Sequence, residues 1–183
     1  MRQPRDAPLR PTMLIILGGL PGVGKTTIAR ELARQTGAVH VRIDTIEQAL
    51  RDAGAGNGPM DDAGYRVAHA IATDNLRLGR SVIADCVNPV TASREAWRAV
   101  AAGVPVPAVE IEIVCSDADE HRRRVETRVI DVPGLTPPTW AEIAAEVEAG
   151  GYQPWDRARI VVDTAGCTAA ENVRSLRARL ARD

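Results

Sequence analysis

Two hydrophobic rhythms alternate along this chain. Short apolar or alternating runs stand at residues 13–17, 38–43, 81–84, 106–115 and 159–162, each followed by glycine, serine or aspartate. Runs of this length between turn residues predict strands, and the uninterrupted Met13-Leu14-Ile15-Ile16-Leu17 predicts one covered on both faces, as in a parallel sheet. Between the runs the spacing changes to the helical period. Ile28, Ala29, Leu32 and Ala33 make one stripe over 25–35, stopped by Gly37; Ile46, Ala49 and Leu50 begin another after Asp44. Val67, Ala68, Ile71, Ala72 and Leu76 mark a helix over 65–78, with Gly79 as its stop. Asn88-Pro89 supplies a cap and a first-turn proline for a helix through 102, and an arginine-rich helix covers 116–128. Thr139 with Glu142, and Thr168 with Glu171, have capping-box spacing. The first opens a helix reaching about 149, and the second a final helix docked by Val173, Leu176 and Leu180.

Five strands alternating with helices predict an α/β fold of three layers, a five-stranded parallel sheet with helices on both faces. The chain of 183 residues suits a single domain over 13–183, with 1–12 as a disordered tail. Two segments stand apart as candidate lids over a site. Gly54-Ala55-Gly56-Asn57-Gly58-Pro59 is the most flexible stretch, and the arginine-rich helix runs into the proline-broken linker 132–138.

Chemistry enters between the first strand and the first helix. Gly19, Leu20, Pro21, Gly22, Val23, Gly24, Lys25 and Thr26 match the phosphate-binding pattern G-x-x-x-x-G-K-[ST] at every position, with Thr27 next in the helix. Glycines let backbone N–H groups turn around a polyphosphate, and the helix N-terminus adds positive potential. The expected ligand is a nucleoside triphosphate. Lys25 is the only lysine among 23 basic residues. A chain that otherwise carries positive charge on arginine uses a slim ammonium where one must reach terminal phosphates from inside a tight loop.

Charge and cysteine content narrow the partners. With 24 acidic against 23 basic residues there is no chain-wide basic field, which disfavours nucleic acid and an anionic membrane as partners. Cys86, Cys115 and Cys167 are odd in number, without C-x-x-C spacing, and suit a reducing cytoplasm. The first eleven residues lack the apolar segment of a signal peptide, and the longest apolar run is too short to span a bilayer.

In open parallel sheets, ligands gather beyond the carboxyl ends of the strands, so the residues there are the catalytic candidates. Thr26 is positioned to bind Mg2+ through its hydroxyl, and Asp85, after Val82-Ile83-Ala84, has the form of a Walker B carboxylate for the same ion. Asp44, at the end of the second strand, is the candidate general base, although its spacing to Glu47 would also serve a helix cap. Arg124 and Arg128, four residues apart on one helix face, are candidates to neutralise the phosphates during transfer, against the alternative of a solvated face paired to Glu120 and Glu126. Asp163 closes the fifth strand. His40, His69 and His121 lack metal-type spacing, and Trp97, Trp140 and Trp155 read as packing residues.

Taken together these residues make the chain resemble the small P-loop kinases, AAA-like proteins that include chloramphenicol phosphotransferase, zeta toxins and the kinase half of phage polynucleotide kinase. The likeness runs from Met13 to Leu180 and is sharpest at Gly19 to Thr26, at Asp44, and at Asp85, Asn88, Pro89, Arg94 and Trp97. It implies the P-loop NTPase fold with a small lid, ATP as phosphate donor with Mg2+, Asp44 as base for an acceptor hydroxyl, and Arg124 and Arg128 as lid arginines on the donor phosphates. The expected reaction is transfer of the γ-phosphate of ATP to a small-molecule hydroxyl. The alternatives are a polynucleotide or nucleoside 5'-hydroxyl kinase and a nucleotide-binding ATPase or switch without an acceptor; arginines supplied within the chain count against the switch.

Overall fold

The computed structural model describes residues 11–55 and 62–181. The predicted tail therefore lies outside the described residues except for its last two, and so does most of the glycine-rich segment 54–59. The elements follow in the order β1 (Leu14–Gly18), α1 (Lys25–Thr36), β2 (Val39–Arg42), α2 (Ile43–Asp52), α3 (Ala63–Arg77), β3 (Val82–Asp85), α4 (Thr91–Gly103), β4 (Ala108–Val114), α5 (Ala118–Thr127), α6 (Trp140–Glu148), β5 (Ile160–Asp163) and α7 (Ala169–Leu180). All strand pairs are parallel, in the order β2-β3-β1-β4-β5.

The periodicity of β1 builds both halves of the core. Its odd residues Ile15 and Leu17, with Met13 just before the strand, pack with Ile28, Ala29 and Leu32 of α1 and with Val173, Leu176 and Leu180 of α7. Its even residues Leu14 and Ile16 pack on the opposite face with Ala68, Ala72 and Leu76 of α3 and with Trp97 and Ala101 of α4. All four residues Leu14 to Leu17 are 0% exposed, each worth about 1.5–3 kcal/mol of burial. This central strand fixes where the loop after it begins.

Three expectations need correction at the helix starts. Strand β2 stops at Arg42, and Ile43 and Asp44 already belong to α2. The cap of α2 is the Arg42 backbone without a side-chain hydrogen bond, so Asp44 does not cap the helix and contributes only a first-turn negative charge. Asn88 does not cap α4 either. The helix starts after Val90, while Asn88 adopts φ 49° and its side-chain amide donates to the Leu17 carbonyl at 2.7 Å. A bulged turn tied to β1 prevails over a cap because the buried Leu17 carbonyl needs a donor. Both capping boxes, Thr139–Glu142 and Thr168–Glu171, form as predicted.

Arg94 holds that turn in place. It is 0% exposed, and its guanidinium donates to the carbonyls of Asn88 (2.9 Å), Pro89 (3.2 Å), Gln153 (2.7 Å) and Pro154 (2.9 Å) while lying 4.2 Å from the centroid of the Trp155 ring. Arg94→Met keeps length but leaves the Asn88, Gln153 and Pro154 carbonyls without this donor, while that of Pro89 keeps the Gln153 N–H at 2.7 Å. We expect a loss of about 3 kcal/mol or more in urea unfolding. A loss under about 1 kcal/mol would mean that water replaces the guanidinium.

Candidate active site

A cavity of about 730 Å³ opens where the strands end. From the phosphate loop it is lined by Pro21, Gly22, Gly24, Lys25, Thr26 and Thr27; from the neighbouring strand ends, by Arg42 and Asp44, by Asp85, and by Thr164. Arg124, Arg128 and the segment 129–131 and 135–138 complete it. The sheet order puts the phosphate loop, after central β1, between two walls: β3 and β2 on one side, β4 and β5 on the other.

The loop depends on its glycines at two points. Gly24 caps α1 at φ 101°, a left-handed conformation that side chains resist, and a Cβ at Gly19, φ 138°, would run into the Ile113 carbonyl of β4. The N–H groups of the first turn of α1 are left free of intrahelical partners. Lys25 reaches back over the loop, its Nζ donating to the Leu20 carbonyl at 2.8 Å. Burial pulls its pKa down, and the charges of Asp85 and Asp44 push it back up. Gly19, Leu20 and Val23 face the other way, onto a smaller cavity of about 110 Å³ with Glu112, His121 and Tyr152.

Helix α5 braces the loop from one face. His121 Nε2 donates to the Pro21 carbonyl at 2.8 Å, Val125 occupies the space a Cβ on Gly22 would need, and Arg124, one residue before it, reaches the cavity. The spacing 121, 124, 125, 128 is one helical stripe. Arg124 donates to Thr164 Oγ1 (2.7 Å) and to the Thr164 carbonyl (2.9 Å), and pairs with Glu120 at 2.5 Å. Thr164 Oγ1 in turn lies 2.9 Å from the Val23 carbonyl and 3.0 Å from that of Val114, donating its one proton to either. Arg128, just past the helix end, donates to the Pro138 carbonyl at 2.7 Å; burial lowers its pKa, with Asp44 opposing. Arg122 pairs outward with Glu126 at 2.8 Å. The face of α5 is thus both a solvated ion-pair surface and a cavity wall.

On the other wall Asp85 is 3% exposed and lies 3.0 Å from His40 Nε2. Asp44 accepts from Arg42 at 3.2 Å, and Arg42 also binds Asp131 of the linker. Every catalytic or metal candidate read from the sequence, Lys25, Thr26, Asp44, Asp85, Arg124 and Arg128, therefore lines one cavity. Asp163 does not; its carboxylate accepts from the Ser116 and Ala165 N–H groups and shapes the turn. Sequence spacing alone passed over His121, Thr164, Arg42 and Asp131. Arg42 carried one signal, a charged residue at the very end of an apolar strand; Asp131, set between Ile130 and Val132 in a linker, carried none.

Thr26 and Asp85 suit a magnesium ion, which keeps substrate phosphates and waters and takes only one or two protein ligands. No group of three or more His, Cys, Asp or Glu side chains that could hold a metal ion occurs among the described residues.

These features define a P-loop nucleotide-binding fold of the three-layer type. The chain belongs to the AAA domain family, whose model matches residues 14–149. An uncharacterized protein of Mycobacterium tuberculosis is 31% identical over 165 residues, covering 84% of this chain and 32% of the relative, so the chain spans about a third of that protein's length. Among solved structures, the APS kinase of Mycobacterium tuberculosis in complex with AMPPNP and APS aligns with a TM-score of 0.67 at 20% identity over 94% of this chain and 98% of that one. A gluconokinase from Sinorhizobium meliloti aligns at 0.64 and 20% identity over 94% and 93%. Chaetomium thermophilum Kti12 in complex with ADP-AlF3 aligns at 0.67 and 22% over 92% and 97%. At such identities the likeness establishes the fold. No described helix is long and apolar enough to cross a membrane, and the three cysteines are free.

Proposed function

We propose that this protein is an ATP-dependent phosphotransferase that moves the γ-phosphate of ATP to a hydroxyl of a small molecule. The observation that carries this reading is the shared cavity: the phosphate loop lies at its centre, with a carboxylate, Asp44, on the wall away from Thr164. The donor lies along the loop toward Thr164, Cys167 and Asn172, and the acceptor toward Asp44. Asp44 takes the acceptor proton as the new O–P bond forms, and ADP leaves as the bond to the γ-phosphorus breaks. Lys25, Arg124 and Arg128 balance charge on the transferring group. Thr26 and Asp85 hold Mg2+, which neutralises phosphate charge when bound. The APS kinase neighbour, holding AMPPNP and APS together, supports a cavity that takes donor and acceptor at once. A cytoplasmic setting fits a chain with three free thiols and an ATP substrate.

The test is transfer of label from γ-labelled ATP to nucleosides, sugars and aminoglycoside-like alcohols, set beside 5'-hydroxyl oligonucleotides at two salt concentrations. Label should enter small alcohols with little dependence on salt, since the net charge is -1 and a polynucleotide would need several phosphates neutralised. Strong, salt-sensitive labelling of oligonucleotides alone reverses the choice of acceptor. Release of phosphate to water with no acceptor labelled favours an ATPase or switch.

A further inference from the structure

On the Asp44 side of the cavity, three charged groups meet that the transfer step does not use. Arg42 donates to both oxygens of the Asp131 carboxylate, at 2.9 and 3.1 Å, and Arg30 of α1 donates to the same carboxylate. All three residues line the main cavity beside Asp44. They differ in how firmly they are built in. The Arg42 side chain, on the end of β2, is 12% exposed, whereas Asp131, on the linker between α5 and α6, is 40% exposed. Hydrogen bonds from Arg30 and then Arg42 hold the Asp131 carboxyl down to about 2, so it is ionised at any working pH.

A guanidinium this deep in a cavity wall is costly unless its charge is used. Arg42 Nε is moreover buried without a hydrogen-bond partner among the described residues. One arm of the Arg42 fork, Nη1, is already filled by the Asp131 carboxylate while the other, Nη2, reaches Asp44, and Asp131 stands on a linker that is neither helix nor strand. We propose that Arg30 and Arg42 form the recognition site for a carboxylate on the acceptor, and that Asp131 occupies it in this structure as an internal substitute. The acceptor class is then a small hydroxy acid. Since one guanidinium bridges Asp131 and Asp44, the acceptor's carboxylate lies within about 8 Å of the base, only a few bonds from the reacting hydroxyl. Binding displaces Asp131 and frees the linker, so the same exchange of carboxylates couples acceptor entry to lid position. The ligand's role as acceptor rests on the phosphotransfer reading; the anion site itself does not.

Two measurements separate these parts. In protein saturated with AMPPNP and Mg2+, so that the phosphate loop is filled, acetate is titrated against chloride at constant ionic strength and read by thermal shift. Asp131→Asn removes the internal competitor and should bind acetate about tenfold more tightly than the parent, and adding Arg42→Gln to that variant should abolish the gain. Equal acetate responses in the parent and both variants overturn the anion site. In the second measurement, kcat/KM for transfer is compared within the pairs glycerate and glycerol, and gluconate and sorbitol. The acid of each pair should be preferred by about tenfold or more, and Arg30→Gln should erase the preference through KM. Equal use of acids and neutral polyols overturns a carboxylate-bearing acceptor while leaving the kinase reading intact. Absence of transfer to any compound, with the acetate response as expected, overturns the acceptor role and the phosphotransfer reading but leaves the carboxylate site standing.

Discussion

Lys25→Ala should lower phosphate transfer by roughly a thousandfold and weaken triphosphate binding, because it removes the one cation held inside the phosphate loop. The other cavity cations are already committed. Arg124 is engaged by Thr164 and Glu120, Arg30 by Asp131, Arg42 by Asp131 and Asp44, and Arg128 by Pro138. None of them can be drawn into the gap without giving up those bonds. Stability should change little, since Lys25 is a buried charge whose removal also relieves a desolvation cost. Lys25→Arg should fail as well: the side chain is 8% exposed and arches onto the Leu20 carbonyl of its own loop, a path too narrow for a planar guanidinium. Calorimetric titration with AMPPNP, a melting curve and a turnover assay decide the matter. Full turnover in the arginine variant would refute the argument from the loop's dimensions.

Asp44→Asn carries the second large effect and separates chemistry from folding. Asp44 sits in the first turn of α2 but makes no cap hydrogen bond, so asparagine costs only a first-turn charge and one 3.2 Å contact with Arg42. The carboxylate is 46% exposed, and the stability change should stay below about 1 kcal/mol. Transfer should nevertheless fall by roughly a hundredfold or more, with binding of ATP and Mg2+ unaltered, because an amide cannot accept the acceptor's proton. A variant that unfolds more easily yet transfers at the parent rate would make Asp44 structural and direct attention to Asp85.

Much of this was legible because the signals were local. Residues 13–17 announced a central strand by being apolar without a break, and the loop after it was fixed by a motif whose glycines serve backbone angles. The capping boxes at Thr139 and Thr168 were readable because both partners lie within four residues. Failures came where a distant partner decides. Asn88 looked like a cap until the Leu17 carbonyl, 71 residues away, claimed its amide. His121 looked ordinary because its acceptor, Pro21, is 100 residues upstream, and the Arg42–Asp131 pair spans 89. Hydrogen bonds of that kind depend on sheet order, and strand periodicity says which residues are buried, not which strands become neighbours.

The sheet order also sets how the cavity can breathe. Central β1 is hydrogen-bonded on both sides, whereas β2 and β5, which carry the outer walls, each have one neighbour. Edge strands open at lower free energy than central ones, so amide hydrogens of β2 and β5 should exchange with solvent sooner than those of β1. The walls can then yield to ligands of different bulk while the loop stays put. Such a molecule has a fixed point of reaction and an adjustable gauge on either side of it.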